Sequence, residues 1–251
     1  APTKVDQRPA LTTTGDMFSQ IKQNFPNGIN VAIYADYDKT GDKAKDGNNA
    51  EFPRAAGAYA KSFNSVGYDA SGTLKLGLAH PIKSLADITK IINDTHALLK
   101  REYEKSTTTP AAELPAYTKI KTLALFSHGM PWGMHLGGSG KYNLRIDSKA
   151  EQEKFKQFVS GIRGSLTADV DVNLFACNAG RETDGTEKEG VWGLDAAEKQ
   201  DGSSSFGAAL AAELGKDASV YAHLSAGHTV NNYSARVFGK DAGKDATQDK
   251  G

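Results

Sequence analysis

Five short apolar runs of strand type alternate along this chain with segments of helical spacing, and that alternation constrains the fold more than any other feature. The runs are residues 30–36, 72–79, 122–127, 170–176 and 219–224. The intervening segments place apolar residues three and four apart, as in Leu85, Ile88, Ile91, Ile92, Leu98 and Leu99, or Phe155, Phe158 and Val159. Such spacing gives a helix one apolar face. Strands and helices in strict alternation bury their apolar surfaces when the strands lie side by side and the helices cover the sheet. The expected fold is α/β: a doubly wound, mostly parallel sheet with helices on both faces.

Local signals set the boundaries. Met17, Phe18, Ile21 and Phe25 predict a helix over 16–25, ended by the turn residues Pro26, Asn27 and Gly28. Further helices are expected over 51–63, 148–162 and 206–214, the last closed by Gly215. Ser84 and Asp87 resemble a capping box opening a helix that runs to about 105. Residues 38–50, rich in Lys, Asp, Gly and Asn, read as a solvated loop, and 106–114 as a link. His80 and Pro81 read as the stop of the second strand, and the glycines from Gly129 to Gly140 as a turn. Without a repeat or a hinge-like linker, the simplest organisation is one domain over 1–238. Residues 1–14 would be an extended lead-in and 239–251 a flexible tail.

Composition narrows the function classes. At 251 residues the chain is long enough to bury a sizeable core. Lysine plus arginine equals aspartate plus glutamate at 30 each, which removes the electrostatic reason to expect nucleic acid or an anionic membrane as partner. No apolar run approaches the roughly 20 residues of a membrane span. The sole cysteine allows no internal disulfide. Ala1, Pro2, Thr3 and Lys4 do not read as a signal peptide.

That cysteine, Cys177, stands directly after the fourth strand run and is followed by Asn178, Ala179 and Gly180. His128 stands in the same way after the third run, 49 positions earlier, and is followed by Gly129. Parallel sheets hold ligand-meeting groups just past the carboxyl ends of their strands. Two neighbouring strands would therefore present an imidazole and a thiol to one space. A thiol attacks as thiolate and needs a base. Attack on a carbonyl further needs an acid for the leaving group and N–H donors for the oxyanion. His128 suits the first two roles, and the amides of Gly129 and Cys177 the third. Taken singly, a cysteine such as Cys177 is most often a small buried hydrophobe and a histidine such as His128 a satisfied turn residue; their joint arrangement favours chemistry.

Ser127, His128 and Gly129, followed about 50 residues later by Ala176 and Cys177, resemble the caspase-type signature. The pattern is similar to that of the clan CD cysteine peptidases: caspases, legumain, clostripain, gingipain, separase and the self-processing domains of large bacterial toxins. Residues 127–137 with 173–178 are especially similar to a bacterial caspase-like domain of unknown function found in large surface proteins. The resemblance spans about 119–230. It implies a cysteine endopeptidase with a His128–Cys177 dyad, a peptide or protein substrate and no cofactor. It also implies a bacterial protein, secreted, surface-borne or delivered as an effector. By position, the polar segment 181–204 matches a self-cleavage loop. Phe175 and Asn178 stand where caspases carry Gln and Arg, so the caspase preference for aspartate is not carried over. The strand after the loop would line the substrate pocket, with Tyr221, His223, Ser225 and His228 as candidates; Asp36, with Asp38, could line the same edge and favour a basic side chain.

Other signals are weaker. Gly138, Ser139, Gly140 and Lys141 lack the earlier glycine and the Ser/Thr of a phosphate loop. Phe206 occupies the second glycine's place of a nucleophile elbow. His223 and His228 have no zinc-ligand spacing, so no metal site is expected. Trp132 and Trp192 read as substrate-contacting aromatics or loop anchors. Two further functional classes use the same sequence: a binding or structural module with an unused dyad, and an acyl transferase. Oligomeric state is not legible.

Overall fold

The computed structural model describes residues 16–108, 113–138, 143–181, 204–224, 234–242 and 246–247. The first half contains α1 (Met17–Asn24), β1 (Ile29–Tyr37), α2 (Lys43–Ser62), β2 (Val66–Tyr68), β3 (Leu74–Leu76), β4 (Ala79–Ile82) and α3 (Leu85–Ser106). There follow β5 (Ile120–Phe126), β6 (His128–Met130), β7 (Gly133–His135), β8 (Gly137–Gly138), β9 (Leu144–Arg145) and α4 (Lys149–Arg163). The remainder contributes β10 (Leu166–Phe175), α5 (Phe206–Leu214), β11 (Ser219–His223), β12 (Ser234–Gly239) and β13 (Ala246–Thr247).

Alternation along the strands divides the core. Side chains of a strand point in turn to opposite faces. Val31, Ile33, Leu123, Leu125, Val172 and Leu174 therefore enter one apolar cluster, with α1, α3, α4 and α5 packed on it. Ala32, Ala124 and Phe126 point the other way, onto Phe52, Ala56 and Ala60 of α2. Phe126 and Phe175 stack on this second face at 4.3 Å between ring centroids. Helices thus cover both faces of a sheet ordered β13-β12-β11-β10-β5-β1-β4. Pairings from β11 through β4 are parallel, and only β12 and β13 are antiparallel. The expected doubly wound α/β architecture is the one observed.

From β1 the chain crosses through α2 to β4 on one side, then returns through α3 to β5 on the other. Strand order reverses between β1 and β5, and α2 and α3 lie on opposite faces. Crossovers that diverge in this way leave a crevice at the carboxyl ends of the two strands.

Several boundaries depart from the sequence expectation. Residues 43–50, read as loop, are the first turns of α2, which Asp42 caps by accepting from the amides of Ala44 and Lys45. These turns carry no large apolar residue and so no periodic signal, and the sequence reading does not include Asp42 as a cap. The second strand run is broken: Gly77 adopts φ +73°, ending β3, and the chain resumes in β4 straight through Pro81. Proline is tolerated because β4 is the edge of the sheet and bonds only to β1. The glycine-rich turn is a small antiparallel sheet of β6, β7 and β9, while β8 adds to the end of β1. Strands β2 and β12 had no place in the sequence reading. Beyond Gly239, Ala246 and Thr247 pair with β12.

Candidate functional site

Register brings the two reactive residues to one edge. Phe126 of β5 lies beside Phe175 of β10, and one step later the Ser127 amide donates to the Phe175 carbonyl at 3.2 Å. His128 and Cys177 follow on these adjacent segments, and both are partly exposed. How closely they approach is visible at Gly129: a Cβ there would lie 2.6 Å from the Cys177 carbonyl oxygen and 2.7 Å from the Ala176 Cβ. Only glycine fits without moving the backbone at Cys177.

The segment after Cys177 is pinned on two sides. The Gly180 amide donates to the His223 carbonyl at 2.9 Å, tying it to the end of β11. The Gly207 amide donates to the Ala179 carbonyl at 2.8 Å, tying it to the first turn of α5. The Phe206 amide in turn donates to the Pro131 carbonyl at 2.7 Å, in the hairpin between β6 and β7. Asn178 turns the chain with φ +57°, a conformation asparagine tolerates better than most residues. The His-Gly hairpin and the Cys loop are therefore held by one set of backbone bonds.

Around His128 the decisive partners come from β1 and α2. The Tyr37 hydroxyl accepts from the His128 amide at 2.8 Å and donates to the His135 carbonyl at 2.6 Å. Its ring packs on both imidazoles, at 4.9 Å from His128 and 4.8 Å from His135. Phe52 meets the His128 ring edge-on at 4.8 Å. Most informative is a 2.9 Å hydrogen bond between His128 Nε2 and Asn49 Oδ1. A side-chain carbonyl oxygen can only accept, so Nε2 carries the proton, and in the neutral ring the lone pair sits on Nδ1.

Sequence reasoning missed Asn49 and Tyr37. Asn49 lay in the polar stretch read as loop. Pro53 is four residues further along α2 and has no N–H for the Asn49 carbonyl, so the helix ladder is interrupted where the histidine's partner sits. Tyr37 is the residue between the two aspartates considered for the site, and the one whose side chain reaches the histidine.

Beside His128, in the crevice between β1 and β5, lies a cleft of about 390 Å³. Its walls come from the end of β1, the loop to α2, the first turns of α2, His135 and Gly138. Cys177 is not among its lining residues, so the cleft lies on the histidine's side of the pair.

The remaining candidates are dispersed. Asp36 sits beside Gly137 at the end of β1, with its carboxylate 3.7 Å from Lys83 Nζ; Asp38 is closer to the same ammonium, at 2.8 Å. Both acids already face a cation, which weakens their pull on a basic side chain. His223 ends β11, is 8% exposed, and lies 5.8 Å from the Phe175 ring. Tyr221 points elsewhere: burial, then Asp171 and Asp241, push its hydroxyl pKa up, and Asp171 pairs with Ser219 at the start of β11. Ser225, His228 and Trp192, with 182–203 of the polar segment, lie outside the described residues. Trp132 is covered by the Arg145 guanidinium, 5.0 Å from its ring, as a loop anchor would be.

No group of three or more metal-ligating side chains is gathered among the described residues. None of the described helices is long and apolar enough to cross a membrane. No family model matches this chain, and comparisons with curated proteins and with solved structures likewise return no match.

Proposed function

We propose that the protein is a caspase-like cysteine endopeptidase using Cys177 and His128. The observation that carries this reading is the pairing of β5 with β10, which sets a glycine-flanked histidine beside a partly exposed cysteine at one sheet edge. With Nε2–H engaged by Asn49, His128 Nδ1 is the basic nitrogen and takes the thiol proton. The Cys177 sulfur then bonds to the peptide carbonyl carbon, and the carbonyl π pair moves onto oxygen, where the Gly129 and Cys177 amides receive it. Collapse breaks the C–N bond as His128 returns the proton to the departing amine. Water, deprotonated by the same ring, releases the acyl group from sulfur. Asn49 enters this scheme as a positioning residue, because it fixes which ring nitrogen is free. Cleavage within 181–204 would make the protein self-processing.

The test is incubation of the wild type and Cys177→Ala with a diverse peptide library, read by mass spectrometry. Cleavage by the wild type alone is expected. Cleavage surviving the substitution removes the mechanism. With both proteins inert, and a thiol that titrates with iodoacetamide like free cysteine, the chain is a binding module with an unused dyad. Products carrying a new amine in place of water would make it an acyl transferase on the same residues.

A further inference from the structure

The order of the strands gives the cleft beside His128 a definite place relative to the two reactive groups. In the sheet β5 lies between β10 and β1, and both pairings are parallel, so the carboxyl ends of all three strands share one edge. Cys177 follows β10 and His128 follows β5. Most of the cleft wall follows β1, as the loop to α2 and the first turns of that helix. Strand β8, paired with Asp36 and Tyr37 at the end of β1, adds Gly138 to the same wall. Across the edge the order is therefore thiol, imidazole, cleft.

A peptide bond to be cut has an order of its own. Its carbon is bonded by the nucleophile, and its nitrogen receives the proton from the general acid. A trans peptide sends the chain away from that carbon and that nitrogen in opposite directions. With the carbon at Cys177 and the nitrogen at His128, the acyl chain leads away from the imidazole. The chain beyond the nitrogen continues past the ring, and the space it meets there is the cleft.

Resting on the peptidase reading, we infer that this cleft is a leaving-group subsite, holding the substrate residues that follow the scissile bond. Its volume, about 390 Å³, is within the usual range of roughly 300–1,000 Å³ for ligand pockets. Its lining suits main chain better than one kind of side chain. Asp38 lines it together with Lys39 and Lys45, and Asp46 faces Lys39 from the neighbouring turn, so a charge of either sign meets both attraction and repulsion. Asn48 presents a carboxamide, which donates and accepts as a peptide unit does. Such a cleft selects for the length of chain after the cut and not for its charge.

The experiment uses the full chain and a peptide that the wild type cleaves. The peptide is resynthesised with a constant acyl side and with one, two or four residues after the cut, its carboxyl end amidated, and kcat/KM is measured for each. Remote contacts on the leaving side should raise kcat/KM by about tenfold between the shortest and the longest. The rise should disappear in Asn48→Trp, whose side chain fills the cleft. It should shrink in Asn48→Ala, a milder change that still decides the matter if the bulkier variant does not fold. Because the ratio is taken within one protein, a disturbance of His128 that slows every substrate alike cancels. A kcat/KM indifferent to length after the cut overturns the inference, as does a rise that survives both substitutions. The two readings fail separately. Cleavage by the wild type without this length dependence sinks the subsite alone, whereas a wild type that cleaves no peptide sinks the peptidase and the subsite with it.

Discussion

His80 shows how one residue can set a pH limit on the whole molecule. Its ring is buried in β4, and its Nε2 accepts the Tyr68 amide at 3.2 Å. A Cβ at Gly67 would come within 2.6 Å of that nitrogen, so the backbone crowds it closely. Burial lowers the pKa from 6.5 to about 4. A folded value below the unfolded one means the native state holds the ring neutral. Its contribution is intact above about pH 6.5 and is lost as pH falls toward 4. The difference amounts to roughly 3 kcal/mol at about 1.4 kcal/mol per unit. Urea unfolding across that range should show the decline in the wild type and a flatter curve for His80→Gln; equal slopes would place the pH dependence elsewhere. Asn49 makes a different prediction, in catalysis. Asn49→Ala should lower kcat by on the order of tenfold with little change in KM, since orientation and not substrate contact is lost. Asn49→Asp should move the acidic limb of the rate profile to higher pH, because a carboxylate favours the imidazolium. If KM rises instead while the profile stays put, Asn49 is a binding group.

At the scale of elements, the start of α2 decides whether the site is assembled. Its first turns carry Lys45, Asn48 and Asn49 but bury no large apolar side chain before Phe52. Packing therefore holds them weakly, and the Asp42 cap matters more than a cap on a well-buried helix. Asp42→Ala should cost about 1 kcal/mol in global unfolding. It should also reduce activity and raise hydrogen exchange over 43–50, while exchange over 54–62, packed beneath the sheet face, is unchanged. A loss of stability spread evenly over α2 would contradict this local account. Helix α5 behaves otherwise: Phe206, Leu210 and Leu214 anchor it in the larger core cluster, and Ser205 caps it through the Ala208 amide at 3.1 Å. Its sequence range, read from its alanine-rich composition and the closing Gly215, matches to the residue.

For the molecule as a whole, the sheet is the rigid body and the candidate site sits at its rim. Strands β5 and β10 are central and paired on both sides, whereas β4 and β13 are edges. Amides of β5 and β10 should be the slowest to exchange and should report global unfolding; those of β4 and β13 should exchange through smaller openings. Comparable protection in β4 and β10 would show that the sheet does not open from its edges. His128 and Cys177, directly past the two most protected strands, inherit a fixed separation. The cleft walls, drawn from the loop to α2 and from β8, belong to the less protected periphery.

The sequence by itself determined the alternation of strands and helices, hence the α/β class, and it placed a histidine and the sole cysteine at strand ends. Those properties are local: each is written in the spacing of apolar residues and in the turn formers that follow them. Tertiary structure alone decided which strand ends are neighbours, because pairing of β5 with β10 depends on contacts more than 40 positions apart. It also decided that a polar stretch without periodicity is helix, and that Asn49 and Tyr37 converge on His128 across 79 and 91 positions. A hydrogen bond between residues so distant leaves no pattern in a single chain. It becomes visible only when the sheet has set the distances.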